Sequence, residues 1–389
     1  MNRKQLTTLV VLAVVLGGLG YYVFNKKQSS YDRGAVSGDG QKFLQGVPPA
    51  AINDVAHIAI KQGASGVTLV RAGDQWTVAE RGGYPANFAT LSELVKKFWD
   101  LKITRAVTAG PSRLPALKLT PDAATVVSLK DDKGKAIAGL TLGLQTSKEA
   151  GEESQFGGGA YPNGRYVMRG DDVKTIALVA DPLNIETRPE DWLNKEWFKV
   201  EKARAVSVVT LGATNDWKLV RENEQAAWNF SPTNAPGATN AADPGKTSAL
   251  NWLLSSPSFN DVSAPTTAAL PRPTSATIVT FDGFTYTLKM GETTGENMPL
   301  EILVSGTFPT ERTAAKDEKP EDKARLDKEF ADKNKMLADK LKAEKAFEKW
   351  TYTVSRSTLE NLLKVRADFY ADKKDDTKKD DAKPVLPQF

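Results

Sequence analysis

The body of this chain carries the same order of sequence features twice, about 150 residues apart. Residues 124–129 (ATVVSL) reappear as 276–281 (ATIVTF) at an offset of 152, and the same offset relates Trp76 to Trp228. One short match can arise by chance, but the shared order of tryptophan, helical segment, hairpin and tyrosine-containing strand argues against it. Because a period of this length is too long for a solenoid, the pattern predicts two tandem copies of one domain.

Each copy has the pattern of a β-rich α+β unit. Short alternating runs rich in Val, Ile and Thr predict half-buried antiparallel strands, and Asp132-Lys133-Gly134 and Asp282-Gly283 are hairpin signals. Strands are predicted before each tryptophan and a helix after it. In the first copy these are 55–61, 66–71 and the helix 91–101; in the second, 205–211, 216–221 and the helix 247–254.

Each copy is expected to close with a tyrosine-containing strand that runs into a short helix. These segments are 166–176 and 352–362, with Asp171 as a helix cap in the first copy and Ser355 or Ser357 in the second. A glycine-rich segment, 151–165, is predicted to be a surface loop, since it does not contain the Gly-x-x-x-x-Gly-Lys-Ser/Thr sequence of a phosphate-binding loop.

An uncharged run of nineteen residues, 6–24, precedes the body and predicts a transmembrane helix. At 1.5 Å per residue it spans about 28 Å, close to the thickness of the hydrocarbon core. A cleaved signal peptide is the alternative, although the bulky aromatics at the end of the run suit cleavage badly. A short cytoplasmic tail would place the body outside the inner membrane, in the periplasm of a Gram-negative bacterium. The anchor is assigned to Leu6, Leu9, Leu12, Leu16, Tyr21, Tyr22 and Phe24.

The predicted fold class is therefore α+β, with an N-terminal transmembrane helix and two tandem, duplicated domains with mainly antiparallel sheets. The predicted divisions are the anchor (1–27), a flexible tether (28–46), a first domain (47–198), a second domain (199–370) and a disordered, charged tail (371–389).

Two segments are candidate partner surfaces. Trp192, Trp197 and Phe198 lie close together between the copies and either form an exposed patch or are buried at the domain junction. The second copy also carries an insertion, 311–349, in which 23 of 39 residues are charged. It predicts a helix from 321 to about 350, whose thin apolar stripe either binds a partner or rests on its own domain. The stripe is Leu326, Phe330, Leu337 and Leu341.

The residue types available limit the chemistry that the chain can perform. With no Cys and a single His, His57, the chain has little from which to build zinc sites or serine–histidine–acid triads. His57 is expected on the face of its strand opposite Ile58 and Ile60. A formal charge of only +4 argues against a nucleic-acid binder. We therefore predict no catalytic residues, no cofactor and no metal site.

The anchor opening MNRKQL, the Trp-bearing β-β-α unit, the pattern from Tyr166 to Val173 and the segment 192–198 together resemble the bacterial family labelled "domain of unknown function 4340". This resemblance covers roughly residues 1–370. It implies an accessory role beside a gliding-motility-type ABC transporter and its extracytoplasmic auxiliary subunit. The charged insertion departs from the family pattern.

We expect a non-enzymatic, membrane-anchored accessory or scaffolding subunit that binds envelope protein partners, such as a transporter permease and its auxiliary subunit, and binds no nucleic acid. One alternative is an extracytoplasmic receptor for a glycan or small ligand, with Trp192 or Trp197 as stacking platforms in a cleft between the copies. Another is a hydrolase of envelope polymers.

Overall fold

The computed structural model describes residues 40–149, 160–210, 216–231, 241–264, 270, 273–314 and 318–371. The predicted anchor, residues 28–39 of the predicted tether, residues 151–159 of the glycine-rich segment and all but the first residue of the predicted tail lie outside these residues. The chain divides into two compact units, Met1–Asn194 and Lys195–Phe389. No helix within the described ranges is long and apolar enough to cross a membrane.

The first unit is built on a nine-stranded antiparallel sheet with the strand order β4-β3-β2-β1-β6-β7-β8-β9-β5. One α-helix, α1 (Phe88–Asp100), follows β4, and short 3-10 helices occupy Pro49–Asp54, Ala79–Arg81, Pro111–Arg113 and Pro189–Trp192. The strands are β1 (His57–Gln62), β2 (Ser65–Ala72), β3 (Gln75–Val78), β4 (Tyr84–Pro85), β5 (Ile103–Ala106), β6 (Thr125–Lys130), β7 (Ala136–Glu149), β8 (Ala160–Arg169) and β9 (Asp172–Val179).

The predicted helix of the first copy is confirmed, and it starts three residues earlier than expected. The side chain of Asn87 caps α1 by accepting a hydrogen bond from the Thr90 amide at 3.2 Å. Leu91, Leu94 and Phe98 follow at spacings of three and four residues, so they share one face, and all three are buried.

The second unit is built on an eight-stranded antiparallel sheet with the order β12-β11-β10-β14-β15-β16-β17-β13. Its helices are α2 (Pro244–Thr247) and α3 (Pro320–Lys345), with 3-10 helices at Ser248–Trp252, Ala346–Lys349, Arg356–Leu362 and Arg366–Phe369. The strands are β10 (Ala203–Thr210), β11 (Trp217–Val220), β12 (Asn229–Phe230), β13 (Asp261–Ser263), β14 (Thr274–Thr280), β15 (Phe284–Met290), β16 (Asn297–Gly306) and β17 (Thr351–Ser355).

The two sheets have the same strand order once β4 is set aside; at that edge the second unit has an isolated bridge between Asn229 and Ala241 rather than a described strand. Strands β1, β2 and β3 take the places of β10, β11 and β12; β6 to β9 take those of β14 to β17; and β5 takes that of β13. Both hairpin signals are confirmed, since β6 pairs with β7 and β14 with β15 across the two turns. Gly283 has a φ of +91° in the second turn, a conformation that glycine adopts without strain.

The observed register corrects the six-residue match between the copies. Leu129 lies opposite Ile58 and Ile278 lies opposite Val206, so Leu129 and Ile278 occupy equivalent places, 149 residues apart. The predicted offset of 152 would equate Val126, which is 36% exposed, with Ile278, which is fully buried. Since a slip by an odd number of residues exchanges the two faces of a strand, that alignment was wrong.

The predicted end of the first copy was also wrong. Residues 172–176 belong to β9, and Asp171 lies in the turn before that strand rather than at a helix cap. β-branched residues such as Val173, Thr175 and Ile176 favour the extended strand. Tyr166 lies in β8, which corresponds to β16, whereas Tyr352 lies in β17, so the two tyrosines are not equivalent.

Two smaller expectations also need correction. Ala160–Arg165, predicted as part of the glycine-rich loop, forms the first part of β8 and pairs with β7. In the second copy the expected short helix follows β17 as the 3-10 helix Arg356–Leu362, but the Ser355 side chain makes no capping hydrogen bond there.

Candidate functional site

Trp192 is a core residue of the first unit. Its side chain is 3% exposed, and its indole Nε1 donates a hydrogen bond to the Glu186 carbonyl oxygen at 3.0 Å. Its own carbonyl oxygen accepts from the Asn87 amide at 2.8 Å, next to the start of α1. The indole ring and the backbone of Trp192 are therefore both held by hydrogen bonds within the first unit.

Trp197 and Phe198 belong to the core of the second unit, with exposures of 8% and 0%. The Trp197 ring lies 4.7 Å from that of Tyr352 and 5.1 Å from that of Phe259, measured between ring centroids. The first pair is tilted at 44° and the second is packed edge to face at 70°, and large aromatic rings that pack at such angles contribute through buried area. Of the two interpretations of this aromatic segment, burial is the one observed, and the exposed-patch interpretation was wrong. Because both indoles are buried, neither Trp192 nor Trp197 presents an exposed ring on which a sugar could stack.

The apolar stripe of the charged insertion rests on its own unit. Leu326, Phe330, Leu337 and Leu341 are all half-buried, on one side of α3. Leu341 lies beside Gly306 at the end of β16, where there is no room for a larger residue. Of the two interpretations of the stripe, packing on the parent domain is therefore the one observed.

Polar contacts hold the same side of α3 along its length. Arg312 donates to Asp327 at 2.7 Å, and the Asn334 side chain donates to the Pro309 carbonyl oxygen at 2.7 Å. The Lys333 ammonium lies 3.3 Å from the Asp282 carboxylate in the β14–β15 turn. Together with the stripe, these contacts fix the orientation of the helix.

The C-terminal end of α3 is attached by a buried carboxylate. Glu344 is 6% exposed, and its two oxygens accept hydrogen bonds from the Tyr286 hydroxyl at 2.8 Å and the Lys199 amide at 3.2 Å. Burial raises the pKa of the Glu344 carboxyl, an effect that the two hydrogen bonds and the nearby Lys340 ammonium only partly oppose. Burial and the Glu344 charge likewise raise the pKa of the Tyr286 hydroxyl.

The opposite side of α3 is exposed and charged, and we call it the α3 outer face. Its members recur at spacings of four and three residues, which places them on one side of the helix, and they alternate in sign. None of them makes an ion pair within 4 Å among the described residues. They are Lys328, Asp332, Lys335, Asp339 and Lys342.

The α3 outer face presents charge without the convergent groups of a catalytic site. The described ranges contain no group of three or more His, Asp or Glu that could hold a metal ion. His57 is half-buried in β1, while its neighbours Ile58 and Ile60 are fully buried, as the alternation predicts. The arrangement on α3 suits recognition of another charged surface.

Sequence reasoning missed Glu344, although a signal was present. Glu344 follows Leu341 by three residues and so continues the stripe that includes Leu337 and Leu341. An acidic residue at an apolar position of a helix stripe indicates a buried, hydrogen-bonded carboxylate rather than another surface charge.

Comparison with known proteins identifies the family only. No curated protein and no solved structure matches the chain. The family model described as "Domain of unknown function (DUF4340)" matches residues 76–273, from β3 of the first unit to the residue before β14 of the second. This match covers just over half of the 389 residues. The chain therefore belongs to the family described as "Domain of unknown function (DUF4340)".

Proposed function

We propose that the protein is a non-enzymatic, membrane-anchored accessory or scaffolding subunit of an ABC-type transport or export complex in the bacterial envelope. The anchor is the uncharged run 6–24, and the two units lie on the extracytoplasmic side of the inner membrane. The link to a gliding-motility-like transporter rests on family resemblance.

The observation that supports partner binding is the α3 outer face. The helix has 26 residues, a length of about 39 Å, and it is fixed by its apolar stripe and by Glu344. The outer face therefore presents its charges in a defined pattern. Charges arranged in this way steer encounter and select partners more than they add affinity, which is what an accessory subunit needs.

Pull-down of the full chain from its native host, after solubilisation in detergent, tests this proposal. The wild type is expected to recover a transporter permease or its auxiliary subunit. The double variant Lys328→Glu/Lys335→Glu reverses two charges of the α3 outer face without touching its packing, and it is expected to lose most of that recovery.

Lys174→Glu is the matched control, because Lys174 is an exposed lysine on β9 whose side chain makes no hydrogen bond or ion pair among the described residues. It is expected to recover partners as well as the wild type does. Recovery of the wild-type protein alone, with no envelope partner, would contradict the proposed function. Equal recovery of partners by the Lys328→Glu/Lys335→Glu and Lys174→Glu variants would show that the α3 outer face is not the partner-binding surface.

A further inference from the structure

A cleft of about 750 Å³ opens in the second unit, away from the α3 outer face. One wall is the turn between β15 and β16, with Gly295 and Glu296. The other is formed by Ser355 at the end of β17 and by the chain that follows it, with Arg356 and Glu360 among its residues. Its volume falls within the range of about 300–1,000 Å³ that is typical of ligand pockets.

The cleft holds charges that have no partner in the part of the chain that the structure describes. The guanidinium of Arg356 makes no hydrogen bond or ion pair among the described residues, and only its backbone amide is used, donating to the Glu296 carbonyl oxygen at 2.9 Å. The carboxylates of Glu296 and Glu360 also make no ion pair within 4 Å there. Opposite charges that line one cleft without pairing to each other are available to a ligand.

Other groups in the cleft are partly used by the fold. The Ser355 and Ser357 hydroxyl oxygens lie 2.8 Å apart, so one hydroxyl proton is shared between them and the other can be donated to a ligand. Lys364 donates to the Asn361 side chain at 2.8 Å, and the Asp368 carboxylate accepts from a backbone amide of its own turn. These contacts hold in place the segment after β17, which carries Arg356 and Glu360.

The balance of charge narrows the class of ligand. With Lys364 and Asp368 included, the lining carries two positive and three negative groups. The three carboxylates would repel a phosphate or an acidic glycan, and the two cations would repel a simple cation. A ligand that carries both a carboxylate and an ammonium group can satisfy both sets.

We propose that this cleft binds a zwitterionic chain end: a short peptide with free termini, or a free amino acid. The Arg356 guanidinium binds the carboxylate, assisted by the Ser355–Ser357 hydroxyl pair, because a guanidinium matches a carboxylate with two parallel hydrogen bonds. Glu296 and Glu360 bind the ammonium group. This inference is independent of the α3 outer face and of the proposed transporter link.

Isothermal titration calorimetry of the full chain in detergent tests the assignment with four probes. These are trialanine, N-acetyl-trialanine, trialanine amide and free alanine. Each blocked peptide lacks one charge, so each is expected to bind at least about tenfold more weakly than trialanine. Binding of trialanine but not alanine assigns the site to peptides, and equal binding of the two assigns it to amino acids.

Two variants connect the probes to the cleft. Arg356→Gln is expected to weaken trialanine binding about tenfold and not to weaken the binding of trialanine amide, because that probe has no carboxylate. The double variant Glu296→Gln/Glu360→Gln should weaken trialanine likewise and should not weaken the binding of N-acetyl-trialanine. Arg204→Gln, on an exposed arginine of β10 outside the cleft, is the control and should bind as the wild type does.

Three results would overturn the assignment. They are no heat of binding for any probe at millimolar concentration, equal affinity of the free and both blocked peptides, or unchanged trialanine binding by the two cleft variants. Since the substituted side chains are exposed, urea denaturation should show wild-type stability, and a variant that unfolds early is replaced by Arg356→Lys. None of these results depends on recovery of a transporter partner.

Discussion

Equivalent residues of the two units have acquired different roles, and the clearest case is an arginine–tryptophan pair. Arg71 lies opposite Trp76 between β2 and β3, and the same register places Arg221 opposite Trp228. Arg71 is exposed and Trp76 half-buried. Arg221 is only 6% exposed, lies over the Trp228 ring at 4.8 Å, and donates to the Ala203 and Glu224 carbonyl oxygens. The second copy therefore uses a buried cation where the first has a surface residue.

Arg221→Ala is expected to destabilise the second unit by about 3 kcal/mol, because it leaves the buried Ala203 carbonyl oxygen and the partly buried Glu224 carbonyl oxygen without the donors that Arg221 supplies. Arg71→Ala, at the equivalent place of the first unit, should change stability by only about 0.5 kcal/mol. Urea denaturation followed by hydrogen exchange of each unit measures both. Equal losses for the two variants would show that burial of Arg221 carries no special stabilisation.

Glu344 predicts a pH dependence of the second unit. Its folded-state pKa is raised above the ordinary value of 4.5, chiefly by burial, so the folded state holds the proton more tightly than the unfolded state. Its contribution to stability is therefore complete below pH 4.5 and is lost as the pH rises through the raised pKa. Glutamine imitates the protonated acid, so Glu344→Gln should gain stability relative to the wild type between pH 4 and pH 8.

Denaturation by urea at several pH values checks this expectation. The control is Glu321→Gln, at an exposed position in the first turn of the same helix, where the change in stability should stay within about 0.5 kcal/mol. A stability difference between Glu344→Gln and the wild type that stays constant from pH 4 to pH 8 would contradict the buried-carboxylate interpretation.

At the scale of elements, α3 packs on its unit through one narrow apolar side. Substitutions at two adjacent residues, one on that side and one off it, test whether this side holds the helix. Leu337 is half-buried against the second unit, whereas Met336, the residue before it, is 72% exposed. Leu337→Ala should loosen the helix by about 1–2 kcal/mol, since the side chain buries only part of its surface. Met336→Ala should change little. Hydrogen exchange across Pro320–Lys345 distinguishes them, and equal exchange in both variants would mean that the stripe does not hold the helix.

The elements that could be predicted from sequence are those whose signals are local. The hairpin glycine Gly283, the α1 core residues and the long charged helix all rest on turn chemistry or on a helical period read over several turns. The register between the copies could not be predicted, because the alternation in 124–129 fits either face until β1 and β6 are seen paired. The strand β9 was mistaken for a helix since a run this short has no resolvable period. The burial of Glu344 is indicated by its place in the apolar stripe, but its partners Tyr286 and Lys199 lie far from it in sequence, and no local pattern shows them.

At the scale of the whole molecule, one strand order is used twice and varied at its margins. The first unit adds β4 at the edge of its sheet, and the second inserts α3 between β16 and β17. The central strands, which must pair on both sides, keep the same order in both units. Additions are tolerated where chain leaves the sheet, because no central pairing is disturbed there. Both surfaces proposed for the second unit lie on segments that leave the sheet. The partner surface is on the α3 insertion, and the ligand cleft is lined by the segment after β17.

The proposed placement of both units outside the inner membrane predicts which residues a membrane-impermeant reagent reaches. Because the chain has no cysteine, a single introduced one reports its position without background. Ser92→Cys on α1 and Met336→Cys on α3 occupy exposed positions in the two units. Both should react with a charged maleimide in intact spheroplasts, whereas Lys4→Cys, before the predicted anchor, should react only after lysis. Each of the three proteins carries a single thiol at a different position. If only Lys4→Cys is labelled in intact spheroplasts, both units lie on the cytoplasmic side, and the proposed envelope partners are then inaccessible to them.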